Sequence, residues 1–89
     1  MTPAERKALK ARAHALDPVT HIGEKGLTEA VLKEVDRALT AHELIKVRAA
    51  SLERDEREAA LAEICDKLDA QPVQHIGKVL VLYRAKPET

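Results

Sequence analysis

Four consecutive residues stand out for the chemistry they could do: Gly23-Glu24-Lys25-Gly26, placed between an extended run and a helical one. Two glycines let the backbone turn tightly and leave no Cβ to keep another molecule away. The helix that follows offers free N–H groups and the positive end of its dipole, and Lys25 adds a cation. That combination suits a phosphate. It equally suits an ordinary tight turn, and Glu24 puts a negative charge beside Lys25.

Further cations could extend such a site. Arg6, Lys7 and Lys10 lie off the apolar stripe of an N-terminal helix, and Lys46 and Arg48 alternate along a strand. The strand pair reads either as part of a binding face or as a solvated flank. Tyr83 could stack a base or simply close the edge of a core, and His75, when protonated, could meet a phosphate beside Gly77-Lys78.

Other chemistries are poorly supplied. His14, His21, His42 and His75 include no pair at the three- or four-residue spacing of a helical metal site. Cys65 falls on an apolar helical stripe, as expected of an inert buried thiol. Ser51 is the only serine, and Glu53, Asp55, Glu56 and Glu58 read as a helix start favoured by the dipole. With Tyr83 the only aromatic, a base-stacking sheet or barrel cannot be built. The expectation is no catalytic residue, no metal and no cofactor.

The elements that must position these residues are legible from pattern. The chain has 89 residues, enough for one domain spanning 1–89, with 45% hydrophobic and 34% charged residues. No apolar run approaches a membrane span, and Met1 to Leu16 lacks the apolar segment of a signal peptide, so a cytoplasmic location is expected. Net charge is zero but uneven: +3 over 1–16, −1 over 17–49, −4 over 50–71 and +2 over 72–89. The polarity permits either a basic face or a mixed surface.

A first helix starts at Thr2 with Pro3 in its first turn and runs to about Leu16, before Asp17-Pro18. Val19 to Ile22 reads as a short strand. A second helix begins near Thr28, its apolar face marked by Leu27, Val31, Val35, Ala38 and Leu39. Leu44 to Ala49 alternates as a strand. Ser51 can cap a third helix with Ala60, Leu61, Ile64, Cys65 and Leu68 inward, ended by Pro72. Val73–Ile76 and Val79–Arg84 form a hairpin across Gly77-Lys78, of type II′ because glycine comes first. The result is an α/β (α+β) fold, α-β-α-β-α-β-β, with a four-stranded mixed sheet packed against helices. Both strand–helix–strand crossovers are expected to give parallel neighbours.

Three stretches together resemble the CRM domain. They are Leu9…Ala13-His14 with Pro18-Val19 and Ile22 through Glu29, then His42 through Val47, then Gln74 through Arg84. They occur in order and in register across about residues 4 to 84, and the chain resembles bacterial single-domain YhbY-like proteins. Related domains occur in plant organelle group II intron splicing factors. The resemblance implies an RNA-binding module shaped like the C-terminal domain of translation initiation factor three. In bacteria it implies association with precursors of the large ribosomal subunit.

Carried over, the expected RNA contacts are the loop Gly23, Glu24, Lys25 and Gly26, helix residues Arg6, Lys7 and Lys10, and the strand pair Lys46 and Arg48. Lys78 and Arg84, in the last matching stretch, complete the set. The partner is then ribosomal RNA or a large-subunit precursor, held by a cytoplasmic monomer with no DNA or membrane contact. The alternative is an adaptor that docks on a ribosomal or other protein without touching RNA, through the acidic start of the third helix.

Overall fold

The computed structural model describes residues 1–86. Its elements are α1 (Pro3–Ala13), β1 (Pro18–His21), α2 (Glu29–His42), β2 (Leu44–Arg48), α3 (Arg54–Leu68), β3 (Gln71–Ile76) and β4 (Val79–Tyr83). The expected order and the four-stranded mixed sheet are both present.

Local chemistry explains most boundaries. Thr2 caps α1: its hydroxyl accepts from the Glu5 N–H at 3.1 Å, and the Glu5 carboxylate accepts from the Thr2 N–H at 3.3 Å. These bonds hold the Glu5 carboxyl below its ordinary pKa. The helix ends at Ala13 rather than Leu16, because His14, Ala15 and Leu16 bond back only three residues, and residues ahead of Pro18 resist the helical region. Thr28 caps α2 through the Val31 N–H at 3.2 Å. The third helix is capped at Glu53, not Ser51, because Ala50–Leu52 forms a turn that tucks Leu52 against the core. It stops where Asp69 turns left-handed at φ 54°, before Pro72, which sits inside β3.

The strand order is β1-β2-β4-β3, with β1 and β2 parallel and the other two pairs antiparallel. Only one crossover therefore makes parallel neighbours, since β4 inserts between β2 and β3. The reason is burial. Val79-Leu80-Val81-Leu82 is apolar on both faces and needs a central place, whereas β3, with Pro72 at a bulge and polar Gln71, Gln74 and His75, is tolerated at an edge.

Three layers result. On one face, α2 and α3 cover a core that includes Val35, Leu39, Ile45, Val47, Ile64, Leu80 and Leu82. On the other, α1 covers a smaller cluster of Leu9, Ala13, Leu44, Val73 and Val81, with Val79 and Tyr83 at its margin. Tyr83 thus closes a core edge. Because α1 is one short helix over a whole sheet face, part of that face stays open to solvent.

Candidate nucleic-acid interface

The register puts the Gly23–Gly26 loop, Arg48 and the Gly77-Lys78 turn at one end of the sheet. Parallel β1 and β2 finish together, with His21 opposite Arg48, and β4 starts beside them, with Val79 opposite both Arg48 and Ile76. Backbone bonds tie the loops beyond: the Ile22 N–H donates to the Arg48 carbonyl at 2.8 Å, and the Ala49 N–H to the Lys78 carbonyl at 2.8 Å. The Gly23–Gly26 loop, Arg48 and the Gly77-Lys78 turn therefore lie side by side.

The loop is a closed turn, with the Gly26 N–H donating to the Gly23 carbonyl at 2.9 Å and Glu24-Lys25 exposed at its tip. Gly26 has φ +73°, a conformation that favours glycine. Gly23 has no such requirement, and a Cβ built on it would meet nothing within 4 Å. Inside the free protein, then, nothing explains a glycine at 23.

Lys46 and Arg48 point to the α1 side of the sheet, alternating with core residues Ile45 and Val47 on the other. Lys46 shares a cleft with Lys10 of α1. Arg6 and Lys7, exposed on α1, stand four and three residues from Lys10 and so share its flank. None of these cations, nor Lys25 or Lys78, enters an ion pair among the described residues; the pairs that form are Arg54–Glu58, Lys67–Glu63, His75–Glu58 and Arg84–Asp36. Acids share the loop end with these cations: Glu24 stands at the tip of the turn, and Glu53, Asp55 and Glu56 open α3, which follows directly from the end of β2.

Arg84 departs from the expectation of an RNA contact. Its guanidinium donates to the Asp36 carboxylate at 2.7 Å, the Leu68 carbonyl at 2.9 Å, and the Asp36 carbonyl and Thr40 hydroxyl at 3.0 Å each. It bridges α2 to the C-terminus of α3, away from the loop end, with four of its five N–H donors engaged inside the molecule. His75 is likewise turned to the α3 side, where its Nε2 accepts from Arg57 Nε at 3.0 Å. Cys65 is buried and its thiol is pushed up to about 11 by desolvation, so it stays protonated near neutrality. No cluster of metal-ligating side chains occurs among the described residues, and no helix in them is long and apolar enough to cross a membrane.

The arrangement adds residues that sequence reasoning did not select. His21 is the register partner of Arg48, and Gln74 and Ile76 face α1 beside Lys46. Alternation along β3 carries a signal for Gln74 and Ile76, but their value depends on β4 standing between β3 and β2, which sequence did not reveal.

Comparison with known proteins bears on the family of the whole chain. Residues 1–84 match the CRS1 / YhbY (CRM) domain. The chain is 47% identical over 88 residues to a Pseudomonas aeruginosa protein named probable RNA-binding protein PA4753, covering 99% of this chain and 85% of the relative. It is 42% identical over 88 residues to a Haemophilus influenzae protein named RNA-binding protein, covering 99% and 89% respectively. The solution structure of the hypothetical protein SAV1595 from Staphylococcus aureus superposes with a TM-score of 0.87 at 31% identity, covering 99% of this chain and 92% of that one.

Proposed function

This chain belongs to the CRS1 / YhbY (CRM) domain family, and from that premise we propose that it binds RNA through the end of its sheet that carries the Gly23–Gly26 turn. The observation behind this reading is the gathering of Lys25, Lys46, Arg48 and Lys78 around that end, free of ion pairs among the described residues, in a chain of zero net charge. The relatives' names support RNA as the ligand class.

Mechanistically, the turn lets a sugar–phosphate strand approach Gly23 closely, while Lys25 and the first N–H groups of α2 meet a phosphate. Lys78 and Arg48 continue the path across the sheet end, and Lys46 leads it toward Lys10, Lys7 and Arg6 on α1. Phosphate contacts of this kind fix position and orientation but do not read sequence. The reading treats residues 1–89 as one RNA-binding domain and gives it no catalytic step.

The proposed partner is ribosomal RNA in a precursor of the large ribosomal subunit, met in the cytoplasm by a monomer acting as an assembly factor. Sedimentation of tagged protein through a sucrose gradient, with and without ribonuclease, tests this. Co-migration with large-subunit precursors that is lost on digestion, and lost in folded Lys25→Glu or Gly26→Asp variants, is the expected result. Co-migration that survives both treatments would replace it with the adaptor reading, in which a protein is the partner.

A further inference from the structure

One ring nitrogen is claimed by two partners of opposite kind. Nε2 of His75 lies 3.0 Å from Arg57 Nε, which can only donate, and 3.1 Å from the Gly77 carbonyl oxygen, which can only accept. The nitrogen satisfies one of them at a time. Without a proton it accepts from Arg57, and its lone pair faces the Gly77 oxygen. With a proton it donates to Gly77, and the ring and the guanidinium are then two cations in contact. The side chain is 14% exposed, so little water reaches the ring to serve the partner left out. On its other side Nδ1 faces the Glu58 carboxylate at 3.8 Å, which Arg54 shares at 3.6 Å. Arg57 and Glu58 are the charged groups of α3 set against the ring among the described residues. Its register partner on β4 is the apolar Leu80, Lys78 stands in the turn beside Gly77, and Gln74 and Ile76 face α1 instead.

Arg57 stands at the loop end of the sheet. Its Nη1 donates to the Leu52 carbonyl at 2.6 Å, in the turn that follows β2, and that turn is joined to the hairpin by the bond from the Ala49 N–H to the Lys78 carbonyl. Unlike Arg54 and Arg84, it enters no ion pair among the described residues. Its charge is held by neutral acceptors alone, a carbonyl and an imidazole nitrogen. We infer that Arg57 is a contact to the RNA backbone that His75 gates by protonation. Neutral His75 keeps the guanidinium on α3. A proton taken from solvent onto Nε2 commits that nitrogen to the Gly77 carbonyl and frees the Arg57 Nε–H for a phosphate passing Lys78. The inference rests on the RNA-binding reading and adds a proton to it. By linkage, RNA that binds the protonated form more tightly raises the share of His75 that is protonated.

The test measures the affinity of the full chain for a U-rich RNA oligomer by anisotropy at about pH 8 and about pH 5.5, on either side of the ordinary charge change of histidine. Any histidine that becomes charged raises affinity to some degree, so the quantity read is the gain relative to His75→Gln. Glutamine can accept from Arg57 and donate to Gly77 at once, and it takes up no proton. At about 0.1 M salt the wild type should gain about fivefold more on acidification than His75→Gln, the worth of one further phosphate contact on a single strand. Arg57→Gln should lose the same share, and the double variant no more than either alone, because both residues act through one contact. Circular dichroism melts matching the wild type separate a lost contact from lost folding. Equal gains in the wild type and His75→Gln, or losses that add in the double variant, overturn the gate and leave RNA binding standing. The wild type alone gives a readout without RNA: in NMR the Arg57 Nε–H resonance should shift as the His75 ring titrates, and a resonance that stays put overturns the gate. A resonance that shifts while no oligomer binds at low salt overturns the RNA-binding reading, and the contact with it.

Discussion

Gly23 and Gly26 separate two reasons for a glycine. At Gly26 the reason is internal, since φ +73° costs a side-chain-bearing residue about 1–2 kcal/mol. Gly26→Ala should therefore lower unfolding free energy by about that amount in a urea titration. Gly23→Ala should leave stability unchanged, because its Cβ would project into open space, and yet weaken RNA binding by crowding the approaching strand. A destabilised Gly23→Ala would show that the turn itself demands the glycine. Arg84 presents the opposite case, a cation spent inside the molecule. Its side chain is only 22% exposed and holds two helices through four hydrogen bonds. Arg84→Ala should cost about 1–3 kcal/mol of stability, as expected when hydrogen bonds to a charged group are lost, with RNA affinity of the folded fraction unaltered. Binding that falls while the urea midpoint stays put would return Arg84 to the interface.

Among the elements, those whose boundaries depend on neighbours in sequence were legible, and those set by neighbours in space were not. Thr2 and Thr28 announce their helices because a cap is a contact over three residues, and Gly77-Lys78 announces a hairpin for the same reason. The cap of α3 at Glu53 depends on Leu52 finding the core, a long-range event that left Ser51 the better local candidate. The position of β4 between β2 and β3 is of the same kind. The candidate site divides likewise: the turn and Lys46 with Arg48 could be read along the chain, but the engagement of Arg84 with Asp36, 48 residues away, could not. Nor could the meeting of Gln74 with Lys10 across α1 and β3.

At the scale of the whole molecule, zero net charge says little about affinity for a polyanion, because Lys10, Lys46, Arg48, Lys25 and Lys78 enter no ion pair among the described residues even though the acids that open α3 lie at the same end of the sheet. If about 4–6 phosphates are neutralised on a single strand, log K against log salt should slope about −3 to −4, and removing one contact with Lys25→Ala should reduce the slope by about 0.7. A slope near zero, measured by anisotropy at several salt concentrations, would mean that the basic end does not hold RNA. The whole sheet also depends on β4, which pairs with both β2 and β3 and contributes fully buried Leu80 and Leu82. A chain shortened by residues 79–86 should show no cooperative melt by circular dichroism. The same topology has a consequence for synthesis. The middle of the sheet is the last of its strands to leave the ribosome, so while translation runs, β2 and β3 wait with open edges and no partner between them. The two pairings that join β3 to the rest of the sheet can form only once β4 has been made, and until then the edges of β2 and β3 that it covers have no partner.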